Sequence, residues 1–311
     1  MKVQVHNWQD KASELIAALK RKDVSIVDTH PDILLIDFDA ATPYYTKKIE
    51  RAYQQGAEIV LYSHGAPVIT AYDMVWESDS RVRVYLAQSQ GQKEVMQAYG
   101  YPNPIEVIGW HYCKQKKFKP AKKINTILFA PHHPHGDGYL QPTVKQSNTD
   151  TYDKLKQTPY KLSIMHFGDI RHNGLRYDRG VDYIISEKSN KQSVKEIDKA
   201  DIVVSNLGTF ASLAIARGKP VVVYGQDICP HDGFNDATIY YVKNWDKYRD
   251  MLHYPYDISK LKPKAAQHTI EFAAQNEAKE WREKFIGNSL DEDRLYEILK
   301  NLLEADKTSL F

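Results

Sequence analysis

Short apolar runs separated by amphipathic stretches recur along this chain at the spacing of alternating strands and helices. Residues 3–6 read as a strand, and 10–22 as a helix with Leu15, Ile16 and Leu19 on one face. The run ILLIDF at 33–38 is a strand buried on both sides. A helix over 44–55 ends at Gly56, and a strand over 57–62 runs into Ser63, His64 and Gly65. A strand at 82–87, a helix at 90–99 and a strand at 105–108 complete the first third. The alternation restarts with strands at 126–130, 162–167 and 181–186 and a helix at 151–157. One long helix is expected over 264–285. The Ser289–Glu292 spacing is that of a capping box, and opens a final helix through Leu303. Strands separated by helices pair in parallel, so the fold class is α/β, built from open doubly wound sheets.

The stretch 200–225, ADIVVSNLGTFASLAIARGKPVVVYG, is the most specific unit of this pattern. A β-branched run reaches Val204, Ser205, Asn206 and Gly208 turn the chain, and Thr209 opens a helix that Gly218 and Pro220 stop; Val221–Tyr224 follow as a strand. A helix start there offers backbone N–H groups and the positive end of the helix dipole to an anion.

A chain of 311 residues exceeds one core and fits two domains: 1–113, a basic linker at 114–123 with six lysines, and 124–288. The final helix at 289–311 has the option of packing back on the N-terminal domain. With 42% hydrophobic and 26% charged residues the composition is that of an ordinary soluble protein, and no apolar run is long enough to span a bilayer. Two cysteines without paired spacing, and no apolar leader, set the expected location as cytoplasmic. A net charge of +2 neither demands nor excludes nucleic acid.

In open α/β sheets ligands sit beyond the carboxyl ends of the strands, so polar residues there carry the candidate chemistry. His64 is the first candidate for a general base, His6 the second, and Asp37 and Asp39, at the end of the ILLIDF strand, the third. His132, His133 and His135 lie after the strand at 126–130. Neither an HExxH nor a CxxC pattern supports a metal, so these histidines are expected to donate to phosphate, with Gly136 and Gly138 admitting close backbone approach. Ser205, Asn206, Gly208 and Thr209 form the strongest set, suited to stabilising a departing diphosphate. Gln226 and Asp227 are in place either to reach sugar hydroxyls or to form a turn. Asp169 and Arg171 carry a weaker signal.

These segments resemble the two-Rossmann-domain glycosyltransferases of the GT-B fold. The unit 200–225 is similar to that family's donor-diphosphate region. The stretch 84–109 (VYLAQSQGQKEVMQAYGYPNPIEVIG) is similar to its close of the N-terminal domain, and TILFAPHHP to its opening of the C-terminal one. SHGAP at 63–67 resembles the HGTP motif of CDP-glycerol glycerophosphotransferases, whose histidine is taken as the acceptor-activating base; that carries to His64 alone. Many relatives place a ribose-binding glutamate where this chain has Leu213, so the nucleotide is left unnamed.

The resemblance implies two Rossmann-like domains facing across a cleft. It further implies metal-independent transfer of a sugar or related group from a nucleotide-diphosphate donor to an acceptor hydroxyl, by domain closure and a histidine base, with no cofactor beyond that donor. The acceptor is a polymer, a glycan or DNA. The alternatives are a DNA-modifying glycosyltransferase acting on a hydroxylated base, a sugar-nucleotide 2-epimerase, and a non-catalytic nucleotide-sugar binding module.

Overall fold

A computed structural model describes residues 1–6, 12–37, 43–63, 80–98, 100–133, 142–186, 189–228 and 250–308. They divide into two units. The first holds the described residues of 1–114 and 283–308, and the second those of 115–228 and 250–282.

The first unit is built on six parallel strands: β1 (Lys2–Val5), β2 (Ser25–Ile26), β3 (Ile33–Ile36), β4 (Glu58–Tyr62), β5 (Val82–Ala87) and β6 (Ile105–Val107). Their order across the sheet is β2-β1-β3-β4-β5-β6. Every residue of β3 is buried, because helices cover both faces. Ile33 and Leu35 point into one core with Val60, Tyr62, Val84 and Leu86. Leu34 and Ile36 point into the other with Ile59, Leu61 and Tyr85. Helices α1 (Ser13–Arg21), α2 (Pro43–Gln54) and α3 (Gln90–Ala98) connect these strands.

The second unit has five parallel strands: β7 (Thr126–Ala130), β8 (Lys161–His166), β9 (Asp182–Ile185), β10 (Ile202–Asn206) and β11 (Val221–Tyr224). They are ordered β11-β10-β7-β8-β9. Its helices are α4 (Pro142–Lys156), α5 (Asn190–Lys199), α6 (Thr209–Ala216) and α7 (Pro263–Gln275), with a 3₁₀ turn at Ile170–Asn173. Ile127, Phe129, Ile164, Val204 and Val222 pack with Tyr152, Leu155 and Ile270 of the helices.

Three expectations change, and one helix is additional. The helix expected over 264–285 is two, α7 and α8 (Lys279–Phe285), broken where the Asn276 side chain donates to the Phe272 carbonyl and its backbone turns extended. The last helix, α9 (Glu292–Thr308), is capped by Asp291, whose carboxylate accepts the Arg294 N–H at 2.9 Å; Ser289 instead bridges Trp110. The helix expected from Thr151 starts at Pro142, because two of its buried positions, Asn148 and Thr151, are polar and hide the period. Helix α5 escapes the pattern altogether, since Ile197 is its one buried apolar residue. Leu295 and Leu299 of α9 lie in the first unit's core beside Leu15 and Leu19 of α1.

The lysine-rich stretch is exposed in its side chains but docked in its backbone. Lys116 N–H donates to Ala216, Lys119 to Gly218 and Ala121 to Ala274, all on the second unit. The Lys116 ammonium and the Arg217 guanidinium share the Asp198 carboxylate at 2.9 and 2.5 Å, and hold it below its ordinary pKa. Gly218 lies beneath this stretch at φ +71, and a Cβ there would fall 2.0 Å from the Lys117 carbonyl oxygen. Gly218→Ala is expected to lower the unfolding free energy by more than about 1 kcal/mol. An unchanged urea midpoint would show that the stretch yields freely.

Candidate active site

In a parallel sheet, a crevice opens where consecutive crossovers leave in opposite directions from adjacent strands. In the second sheet that point falls between β7 and β10: the chain leaves β7 toward β8 and β9, then returns to place β10 on the other side. The residues at and just past the ends of these two strands are His132 and His133 on one side and Asn206, Gly208 and Thr209 on the other.

These residues meet. The Asn206 carboxamide nitrogen donates to His132 Nδ1 at 2.8 Å, and Ser205 Oγ donates to the Asn206 carboxamide oxygen at 3.3 Å. The second bond fixes the amide, the first makes Nδ1 an acceptor, and the ring proton is therefore on Nε2. His132 is also held from behind. Its backbone N–H donates to Asn148 Oδ1 and Tyr224 Oη, and its carbonyl accepts from Asn148 Nδ2 at 3.1 Å. Tyr224 Oη in turn donates to Asn148 Oδ1 at 2.7 Å, and burial pushes the Tyr224 phenol well above its usual range, so it stays protonated. Sequence reasoning missed Asn148. It lies mid-helix on α4 in a segment with no strand-end signature, and only its complete burial marks it.

Gly208 precedes α6 in an extended conformation, and no side chain caps the helix. A Cβ at 208 would meet only Asn206 Nδ2 at 3.5 Å, an ordinary contact. Gly208 and Thr209 are partly exposed, whereas Ser205 is buried and acts through Asn206.

Gln226 is placed elsewhere. It is buried, and its carboxamide is engaged with the Tyr254 backbone at 2.7 and 3.0 Å and with Asp257 at 2.9 Å. Asp227 pairs with Lys260 at 2.8 Å. Asp169 accepts a forked pair from Arg171 at an exposed turn, which holds its carboxyl far below the usual range. Leu213 is a core residue of α6. His135, Gly136 and Gly138 lie outside the described residues.

The corresponding point of the first sheet falls between β1 and β3. His6 follows β1 and Asp37 follows β3, and their side chains meet: His6 Nδ1 is 2.6 Å from Asp37 Oδ1. Asp37 is completely buried and His6 nearly so. The His6 backbone is fixed at both ends, its N–H donating to the Leu35 carbonyl at 2.9 Å and its carbonyl accepting from the Tyr62 hydroxyl. A carboxylate on Nδ1 holds the proton there and leaves Nε2 with the lone pair, the arrangement of a general base. Half-buried Lys48 of α2 feels the Asp37 charge, which opposes the lowering of its pKa by desolvation. The sequence places both partners at strand ends; that they pair follows from β1 and β3 being sheet neighbours, which no linear pattern states. His64 and Asp39 lie outside the described residues. Ser63, which precedes His64 in the sequence, has its carbonyl held by the Tyr112 hydroxyl at 2.5 Å.

No family model matches the chain, and no curated protein sequence does. Solved structures do. A variant of the wall teichoic acid polymerase TagF is similar over 99% of this chain and 89% of its own, with a TM-score of 0.54 and 12% identity. The same variant soaked with CDPG covers 100% and 89%, with a TM-score of 0.54 and 11% identity. An alpha-glucosyltransferase in complex with UDP and a DNA containing an HMU base covers 98% and 99%, with a TM-score of 0.46 and 11% identity. No described helix is long and apolar enough to cross a membrane. The two parallel sheets, their orders and the likeness to the TagF structures together give the chain the GT-B fold, two Rossmann-like α/β units.

Proposed function

We propose that this chain is a glycosyltransferase of GT-B type, moving a sugar or related group from a nucleotide-diphosphate donor to an acceptor hydroxyl. The observation that carries the reading is that each sheet has, at its switch point, a histidine oriented by a hydrogen bond to Nδ1: His6 by Asp37 and His132 by Asn206. The two are oriented for opposite work. Asn206 leaves His132 a donor at Nε2, suited to phosphate oxygen; Asp37 leaves His6 an acceptor at Nε2, suited to a hydroxyl proton.

In this reading the diphosphate lies against Gly208, Thr209 and the start of α6, with His132 and His133 beside it. Negative charge grows on the diphosphate as its bond to the transferred group breaks, and the fixed dipoles of α6 and His132 stabilise that charge. His6 takes the proton from the acceptor hydroxyl as the new bond forms. His64, the first candidate from the sequence, is the alternative for that role, and the likeness of SHGAP to HGTP supports it.

Incubation with a panel of UDP-, GDP- and CDP-linked donors, with and without glycan, polyol and DNA acceptors, tests the reading. Release of one nucleotide, accelerated by one acceptor class, is expected. Binding of a donor without release under any condition would favour the non-catalytic module, and conversion of a donor without acceptor would favour the epimerase.

The glycine before α6 gives a sharper test of the donor site. Since a Cβ at 208 makes only an ordinary contact with the Asn206 carboxamide, Gly208→Val is expected to lower the melting temperature little and weaken donor affinity about tenfold or more, about 1.4 kcal/mol. Calorimetric titration with the donor measures it, and an unaltered dissociation constant would move the diphosphate elsewhere.

A further inference from the structure

The first unit carries a second polar recess that the His6–Asp37 pair does not use. It opens past the ends of β5 and β6, and β5 lies two strand spacings, about 10 Å, from β3. Its volume is about 420 Å³, inside the range of about 300–1,000 Å³ for small-molecule sites. One wall is backbone: Gly109 sits at φ +90, and a Cβ there would fall 2.3 Å from the Ser289 carbonyl oxygen, so the chain approaches as closely as it can.

Gln88 lines this recess. Its side chain is completely buried, and neither the nitrogen nor the oxygen of its carboxamide has a hydrogen-bond partner. A buried carboxamide left unpaired is costly, and native structures almost always supply it with a partner. Beside it Ser89 caps α3, accepting the Gln92 N–H at 3.1 Å, and turns the start of that helix toward the same space. The rim carries the carboxylates of Glu283 and Asp291.

These groups select their ligand. Two carboxylates disfavour an anion, although a helix start alone would favour one. The Gln88 carboxamide, with neither atom paired, needs both an acceptor and a donor. A hydroxyl supplies both, and a carbon skeleton bearing several hydroxyls supplies one to each atom of the carboxamide without bringing a charge. We propose that the recess docks a neutral polyhydroxylated group, a sugar ring or polyol segment of the acceptor. Naming that group as part of the acceptor rests on the transferase reading; the binding itself does not.

Titration of the full chain with glycerol, sorbitol and glucose, without donor, tests it. At least one is expected to saturate with millimolar affinity. Gln88→Leu is expected to weaken that binding about tenfold or more while melting no lower than the parent, because it removes the orphaned amide. Where Gln88→Leu does not fold, Ser289→Tyr, an exposed position on the rim, blocks the same space and carries the same expectation. Saturation by none of the three overturns the proposal, as does preferential binding of inorganic phosphate. So does a Gln88→Leu protein that melts lower yet binds unchanged, which would leave the carboxamide a purely structural water site. Polyol binding in a protein that turns over no donor would sustain the recess and sink the transferase reading.

Discussion

Asp37→Asn is expected to slow transfer by about 10²–10⁴-fold while donor affinity stays within a factor of about two. The carboxylate is fully buried and 2.6 Å from His6 Nδ1, so it does two things at once. It keeps the imidazole proton on Nδ1, and it offsets the positive charge the ring acquires on taking a proton from the acceptor. A carboxamide has no charge to offset the imidazolium, and it can donate to Nδ1 and so place the proton on the nitrogen that must accept one. His6→Ala removes the base itself and is expected to cost as much. The two variants together are expected to cost little more than either alone, since the residues act as one unit. Donor affinity is a property of the second unit in this reading, so calorimetry separates a chemical defect from a binding defect, and thermal melting separates both from misfolding. Turnover unchanged in both variants would transfer the role to His64, whose own alanine variant is then the one to lose activity.

How far the sequence reaches is clearest in these pairs. The strand ends were legible because a parallel sheet covered on both faces makes each strand a continuous apolar run, and the first polar residue after it marks the edge. His6, Asp37, His132 and Asn206 were all visible by that rule. Their partners were not, because a linear pattern holds strand order only where neighbours in sequence are neighbours in space. β1 pairs with β3 although β2 intervenes in sequence, and β7 with β10 although two strands intervene, and those crossings bring together His6 with Asp37 in one unit and His132 with Asn206 in the other. Asn148 and Gln88 were invisible for another reason. Each is a polar residue that is fully buried, so it reads as surface in the sequence and as core in the fold. Gln226 went the opposite way: its strand-end position fits a ligand contact, but its carboxamide is engaged with Tyr254 and Asp257.

Acidification from pH 6.5 to 4 is expected to cost the first unit about 3 kcal/mol of stability through one residue, His111. The ring is completely buried between Tyr62, edge-on at 5.7 Å, and Tyr112, tilted at 4.3 Å. Burial pushes its pKa down to about 4, against a weaker opposing pull from the backbone of Gly109 and Ser63. The sign follows from proton counts. Between the folded value and the unfolded value near 6.5 the unfolded chain binds the extra proton, so stability rises with pH across that window. The contribution is complete above pH 6.5 and is lost as pH falls through 4. His111→Phe keeps an aromatic ring between the two tyrosines and removes the titration, so urea midpoints of the variant should fall less steeply than those of the parent over this window. Parallel slopes would assign the acid sensitivity to other groups. The site is affected too, because Tyr112 holds the Ser63 carbonyl and Tyr62 holds the carbonyl of His6. Protonating His111 therefore disturbs the end of β4 on which the base is anchored. Acid inactivation of the parent should then persist in an Asp37→Asn background, where the base is already impaired, and weaken in His111→Phe.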